Sequence, residues 1–210
     1  PWYRGALDDE MEDEAKAMCS VVQERLLPHR FSLALDCHSG FGRLDRLWFP
    51  YARSSTPFPY AAEVRSMQKL FDQSYPHHTQ YLFEPQSAAY TIQGDLWDHL
   101  FERHLESRGD CDDESPSAGA ASLARTFIPL TLEMGSWTWV RKNPAQLLRF
   151  GGLFNPMLRH REDRILRRHL VLLDFLLSAT RAHEAWRPLG KERESVERDA
   201  HAVWYPQGGK

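Results

Sequence analysis

Apolar positions change spacing several times along the chain, and each change predicts an element. Over residues 8–27, DDEMEDEAKAMCSVVQERLL, Met18, Val21, Val22 and Leu26 recur at helical spacing, and acids crowd the first turns where they complement the helix dipole. The short apolar run RFSLALDCHS, residues 30–39, is bounded by Pro28 and Gly40 and predicts a buried strand. RLWFPYA, residues 46–52, predicts a second strand, with Pro50 marking an edge or an end. Amphipathic helices follow over residues 60–73 and 94–107, the latter with Leu96, Leu100 and Leu105 among its apolar positions. Residues 108–122, RGDCDDESPSAGAAS, are small, polar and turn-rich, and predict a mobile surface loop. A third strand is expected over 125–137, interrupted by Pro129. The strongest helical pattern spans 155–183, where Asn155 is placed to cap and Pro156 to take the first helical position. From Trp186 onward the chain turns polar, and a tail that hugs the surface or frays is expected.

Strands alternating with helices predict an α/β domain, a mixed central sheet flanked by helices, with its site at the carboxyl ends of the strands. Composition agrees: 210 residues, 42% hydrophobic and 26% charged, describe one ordinary globular domain. The expected division is a catalytic portion over residues 1–185 and a polar tail over 186–210. A net charge of −3, from 26 basic and 29 acidic side chains, gives no electrostatic case for nucleic acid or an anionic membrane as partner. Cys19, Cys37 and Cys111 are odd in number and widely spaced, which argues against a disulfide framework and a thiolate zinc cage. The sequence has no run of 18 apolar residues. It opens on PWYRG without methionine, so a preceding segment is expected, with a cytoplasmic setting as the default.

Three polar positions stand out. On a strand, Asp36 and His38 share a face while Cys37 points away, and a carboxylate beside an imidazole is a common way to orient a metal-ligating histidine. A strand-end histidine hydrogen-bonded as scaffold is the alternative. In LTLEMGSW, Glu133 interrupts an apolar strand; a carboxylate desolvated there would have its pKa raised, which suits a general base. An ion pair with one of the arginines is its alternative. In AAYTIQGDLW, Tyr90 stands four residues before Gly94, on a segment able to swing over a site or simply to pack its ring at a loop edge.

Taken in order, these segments resemble the carboxyl-terminal half of the zinc carboxypeptidase (metallocarboxypeptidase) family, which includes succinylglutamate desuccinylase and aspartoacylase relatives. The resemblance is carried by DCHSG, WFPYA, the Tyr90-x-x-x-Gly94 loop and LTLEMG, and by the opening YRGALDDEMEDEA with Glu10 and Glu12; it covers residues 1–155. It implies a phosphorylase/hydrolase-like fold, zinc as cofactor with His38 as one ligand, Asp36 orienting His38 or touching bound water, and Glu133 as general base. It further implies that Tyr90, Ser39 and Gly94 contact substrate, and that Ala52, Asp95 and Trp97 border the specificity pocket. The family's His-x-x-Glu ligand pair and its carboxylate-holding Arg and Asn-Arg residues are expected upstream of Pro1. The His-x-x-Glu at His99 to Glu102 lies after His38 and reads as an ordinary surface helix. His77, His78 and the histidines of RHREDRILRRH read as solvated.

Three functions follow as expectations. The first is a metallocarboxypeptidase trimming peptides. The second is an N-acyl amino acid deacylase on the same scaffold. The third is a catalytically incomplete fragment or binding domain lacking the His-x-x-Glu zinc motif. The first is favoured for the parent protein, and this chain is expected to be too incomplete to hydrolyse substrate by itself. Peptide or N-acyl amino acid is the expected substrate, and the oligomeric state is left open.

Overall fold

The computed structural model describes residues 9–40, 42–109 and 125–206. It is a mixed α/β fold built on a four-stranded sheet. The strands are β1 (Phe31–Gly40), β2 (Asp45–Phe49), β3 (Tyr81–Pro85) and β4 (Thr126–Gly135), in the spatial order β1-β4-β2-β3. β4 runs parallel to β1 and antiparallel to β2, while β2 and β3 are parallel. The described helices are α1 (Asp13–Arg25), α2 (Ala61–Ser74), α3 (Leu96–Gly109), the one-turn α4 (Trp137–Val140), α5 (Arg159–Arg181), the short α6 (His183–Trp186) and α7 (Gly190–Trp204).

Strand alternation divides the helices between two faces. Leu47, Phe83, Ile128, Leu130 and Leu132 belong to the buried set. Ring contacts of Phe71 with Phe83 and Phe175, and of Trp204 with Phe49, put α2, α5 and α7 against that side of the sheet. On the other side α3 is held by the indole of Trp97 at Asp36 and by His104 against Phe127. In α2 the residues Ala61, Val64, Met67 and Phe71 are all buried at helical spacing. Full burial of an aromatic or large aliphatic side chain stabilises by about 1.5–3 kcal/mol, so these contacts dominate the packing.

Pro129 does not break β4, which runs through it in register with Ala34. β2 pairs with β4 only from Thr131 to Glu133, so Pro129 has a strand on one flank alone, where its missing N–H is tolerated. The long helix starts at Arg159 rather than near Asn155: Leu158 is the N-cap, and Asn155 lies in the turn before it, its Nδ2 donating to the Gly151 carbonyl at 3.5 Å. The tail does not fray. Residues 190–204 form α7, with Ala200 and Trp204 buried. Trp204 Nε1 donates to the Phe83 carbonyl at 2.9 Å, and the Phe58 N–H donates to Tyr205 Oη at 3.1 Å. Most of the loop expected over 108–122 lies outside the described residues.

Candidate functional site

Register brings the predicted residues to one place. His38 lies opposite Glu133 on the parallel pair, and Arg46 lies opposite Glu133 on the antiparallel pair. His38, Glu133 and Arg46 therefore form one row across three strands, all on one face. The row behind it consists of Asp36, Thr131, Trp48 and Glu84. Because the side-chain period of a strand is two, a one-residue slip of β1 against β4 would send His38 to the other face.

Within these rows the polar groups are tied together. His38 Nε2 is 2.8 Å from Asp36 Oδ2, and Trp97 Nε1 donates to the same oxygen at 2.9 Å. In the neutral imidazole, an Nε2–H donated to the Asp36 carboxylate leaves the Nδ1 lone pair free. The imidazole is 57% exposed, so that lone pair is open to a ligand. Glu84 Oε1 accepts from Trp48 Nε1 at 3.0 Å and from the Arg46 guanidinium, which spans the two strands. Glu133 is left without such a partner among the described residues. Burial pushes its carboxyl above the ordinary range and the Asp36 charge adds to this, while His38 and Arg46 pull it back. A carboxylate so placed is suited to accept a proton near neutral pH.

Tyr90 joins the same neighbourhood. Its ring meets Trp48 edge-on at 5.7 Å, and its side chain is half exposed. Burial raises its phenol pKa, as do the charges of Glu133 and Asp95, whereas a hydrogen bond with Gln86 lowers it. The loop is pinned by the Ile92 N–H donating to the Ala52 carbonyl at 3.0 Å. Gly94 adopts φ +80°, with open space where a β-carbon would stand, so its role is to turn the chain into α3. Asp98, in the first turn of α3, accepts from the N–H groups of Ala52 and Arg53 at 2.9–3.0 Å and fixes the chain after β2. Trp48, Gln86, Asp95, Trp97 and Thr131 border a cavity of about 10 Å³, the room of a single water.

Other expected residues fall elsewhere. Ser39 alternates to the opposite face, beside Met134, and only its backbone stays at the rim. Glu102 of the His99-x-x-Glu102 pair is engaged by Arg53 in an ion pair. His169 is not solvated: it is 5% exposed, and its Nδ1 is hydrogen-bonded with Tyr81 Oη at 2.7 Å. His78 packs edge-on to Phe71 rather than standing in water, although His77 is exposed.

Sequence reading missed Arg46, Glu84 and Gly40. Arg46 and Glu84 are ordinary charges until the pairing of β2 with β3 and β4 is known. Gly40 continues the face of Asp36 and His38, and its missing side chain leaves room for Glu133. A glycine two residues after a candidate ligand was the one available signal.

The imidazole of His38 fits a zinc ligand: it has a free ring nitrogen and a carboxylate orienting the other. Among the described residues, however, no three His, Cys, Asp or Glu side chains come together as a metal cage, so further ligands would have to come from beyond them. No described helix is long and apolar enough to cross a membrane. Comparisons with protein families, curated proteins and solved structures give no match.

Proposed function

We propose that this chain carries the base and one metal ligand of a zinc-dependent, carboxypeptidase-like hydrolase with the corresponding fold. The observation that supports this best is the row of His38 and Glu133 at one register position, with Asp36 on the imidazole. In this reading Glu133 takes a proton from water and passes it to the leaving amine, and its raised pKa suits both steps. Asp36 holds the ring of His38, and Tyr90 donates a hydrogen bond to the substrate. Zinc, when bound, would supply Lewis-acid polarisation of the scissile carbonyl.

The test is hydrolysis of N-acylated dipeptides with a free carboxyl terminus, in zinc-loaded full-length protein that includes the remaining ligands, by wild type and by Glu133→Gln. Glu133→Gln should lower kcat by roughly 10²–10⁴-fold with metal content unchanged. Activity retained by that variant would remove the base assignment. The Asp36–His38 pair equally serves an N-acyl amino acid deacylase, the second reading; N-acyl amino acids cleaved while dipeptides stay inert would favour it. No turnover of either substrate, with no zinc bound, would leave the chain as a binding domain.

A further inference from the structure

Two adjoining cavities lie beyond the carboxyl end of β4, between α4 and the first turns of α5. One is about 210 Å³ and is lined by Lys142, His160, Arg161, Arg164 and Arg168 together with Thr138. The other is about 540 Å³, shares Thr138, Lys142 and Arg168, and adds Arg43 and Arg141. No carboxylate lines either one. Six guanidinium or ammonium groups thus gather in a chain whose net charge is −3, so the concentration is local.

What faces these charges matters. Arg168 is paired with buried Asp45 at 2.6 Å, and its Nε is buried with no hydrogen-bond partner among the described residues. Arg161 donates to the carbonyls of Trp139 and Lys142, both at 3.3 Å, which fixes its guanidinium without neutralising it. Arg43, Arg141, Lys142 and Arg164 have no carboxylate partner among the described residues. Like charges crowded in this way repel one another, and a bound anion relieves that repulsion through charge-assisted hydrogen bonds.

The groove lies at the end of the sheet where β1 and β4 stop, on the α5 side, whereas His38 and Glu133 face the α3 side. The Ser136 N–H donates to the Gly40 carbonyl at 2.8 Å and the Trp137 N–H to the Gly42 carbonyl at 3.0 Å, so the groove begins where the strands of His38 and Glu133 end. We propose that this basic groove binds closely spaced carboxylates, those of an acidic stretch of peptide. The binding does not depend on the hydrolase reading.

The experiment is calorimetric titration of the full chain with hexaglutamate, with hexaglutamine and inorganic phosphate as separate arms. Hexaglutamate should bind saturably and weaken as salt rises. Lys142→Gln and Arg164→Gln strand no partner, so they should keep the fold, and each should weaken binding roughly tenfold. Hexaglutamine should not bind. Absent hexaglutamate binding, equal binding of hexaglutamine, phosphate binding as tightly as the peptide, or indifference to both substitutions would overturn the proposal. Titrating Glu133→Gln separates the two readings: peptide binding there should equal wild type even though hydrolysis is lost. If wild type hydrolyses dipeptides but never binds hexaglutamate, the groove proposal alone falls.

Discussion

The carboxylate of Glu133 fills the space in front of Gly40: a β-carbon on that glycine would stand 1.7 Å from Glu133 Oε1. The obstacle is the far end of a flexible side chain, so Gly40→Ala should displace the carboxylate at little cost to the fold. The expected result is a melting temperature near wild type and, on the proposed hydrolase reading, most hydrolytic activity gone. Gly135 makes the contrast, because its β-carbon would meet the backbone carbonyl oxygens of Leu44 and Gly42 at 2.6 and 2.8 Å. Gly135→Ala should therefore unfold or strongly destabilise the protein, read by circular dichroism on heating. Equal stability losses at the two glycines would contradict this placement of Glu133.

Trp97 donates to the same Asp36 oxygen that meets His38. Trp97→Phe keeps most of the ring volume and removes that donor, a change of about 1 kcal/mol. On the proposed hydrolase reading, the expected outcome is a several-fold fall in kcat with secondary structure unchanged, measured by steady-state kinetics beside far-ultraviolet circular dichroism. Full activity in the variant would show that Asp36 needs no support from α3.

Acid should weaken the fold through His169. Burial, then the charges of Arg168 and His78, hold its pKa down to about 4 from an ordinary 6.5. Above pH 6.5 the ring is neutral folded and unfolded, and contributes nothing. Below it the unfolded chain takes up a proton that the folded one refuses, so stability falls until the folded ring also titrates near pH 4. The full loss is roughly 3 kcal/mol. Asp45 and Asp98, whose carboxyls burial raises, act in the opposite sense, favouring the folded state as acid protonates them. Urea unfolding of wild type and His169→Gln at pH 7 and pH 5 isolates the histidine: the variant should lose less stability on acidification.

Glu63 is fully buried, and Arg193 of α7 reaches it at 2.9 Å while also donating to the Pro59 carbonyl at 2.7 Å. Arg193→Ala strands that carboxylate and should cost about 3–5 kcal/mol. Pairing it with Glu63→Gln should recover part of the loss in the urea midpoint.

The parts of the fold legible in the sequence were those whose pattern is carried by burial on a regular period. The apolar runs around Leu33 and Ile128 were read as strands because tertiary packing agrees with local preference there. β3 was not: YLFEP is five residues long, set among polar residues, and gains its strand geometry only from pairing with β2. α7 was read as a polar tail because 15 mostly polar residues conceal two anchors, Ala200 and Trp204. Asp36, His38 and Glu133 could be named from their setting. That they share a row could not be, since register depends on which strands pair. His169 was misread because nothing in a run of arginines reveals which residue faces inward.

β4 is bonded on both flanks where it carries Glu133, whereas β1 lies at the margin of the described sheet. The imidazole and the carboxylate consequently ride on backbones of unequal firmness. Thermal breathing would peel the outer strand first, so amide exchange should run faster around His38 than around Glu133. The row would then come apart from its histidine side while Glu133 stayed anchored.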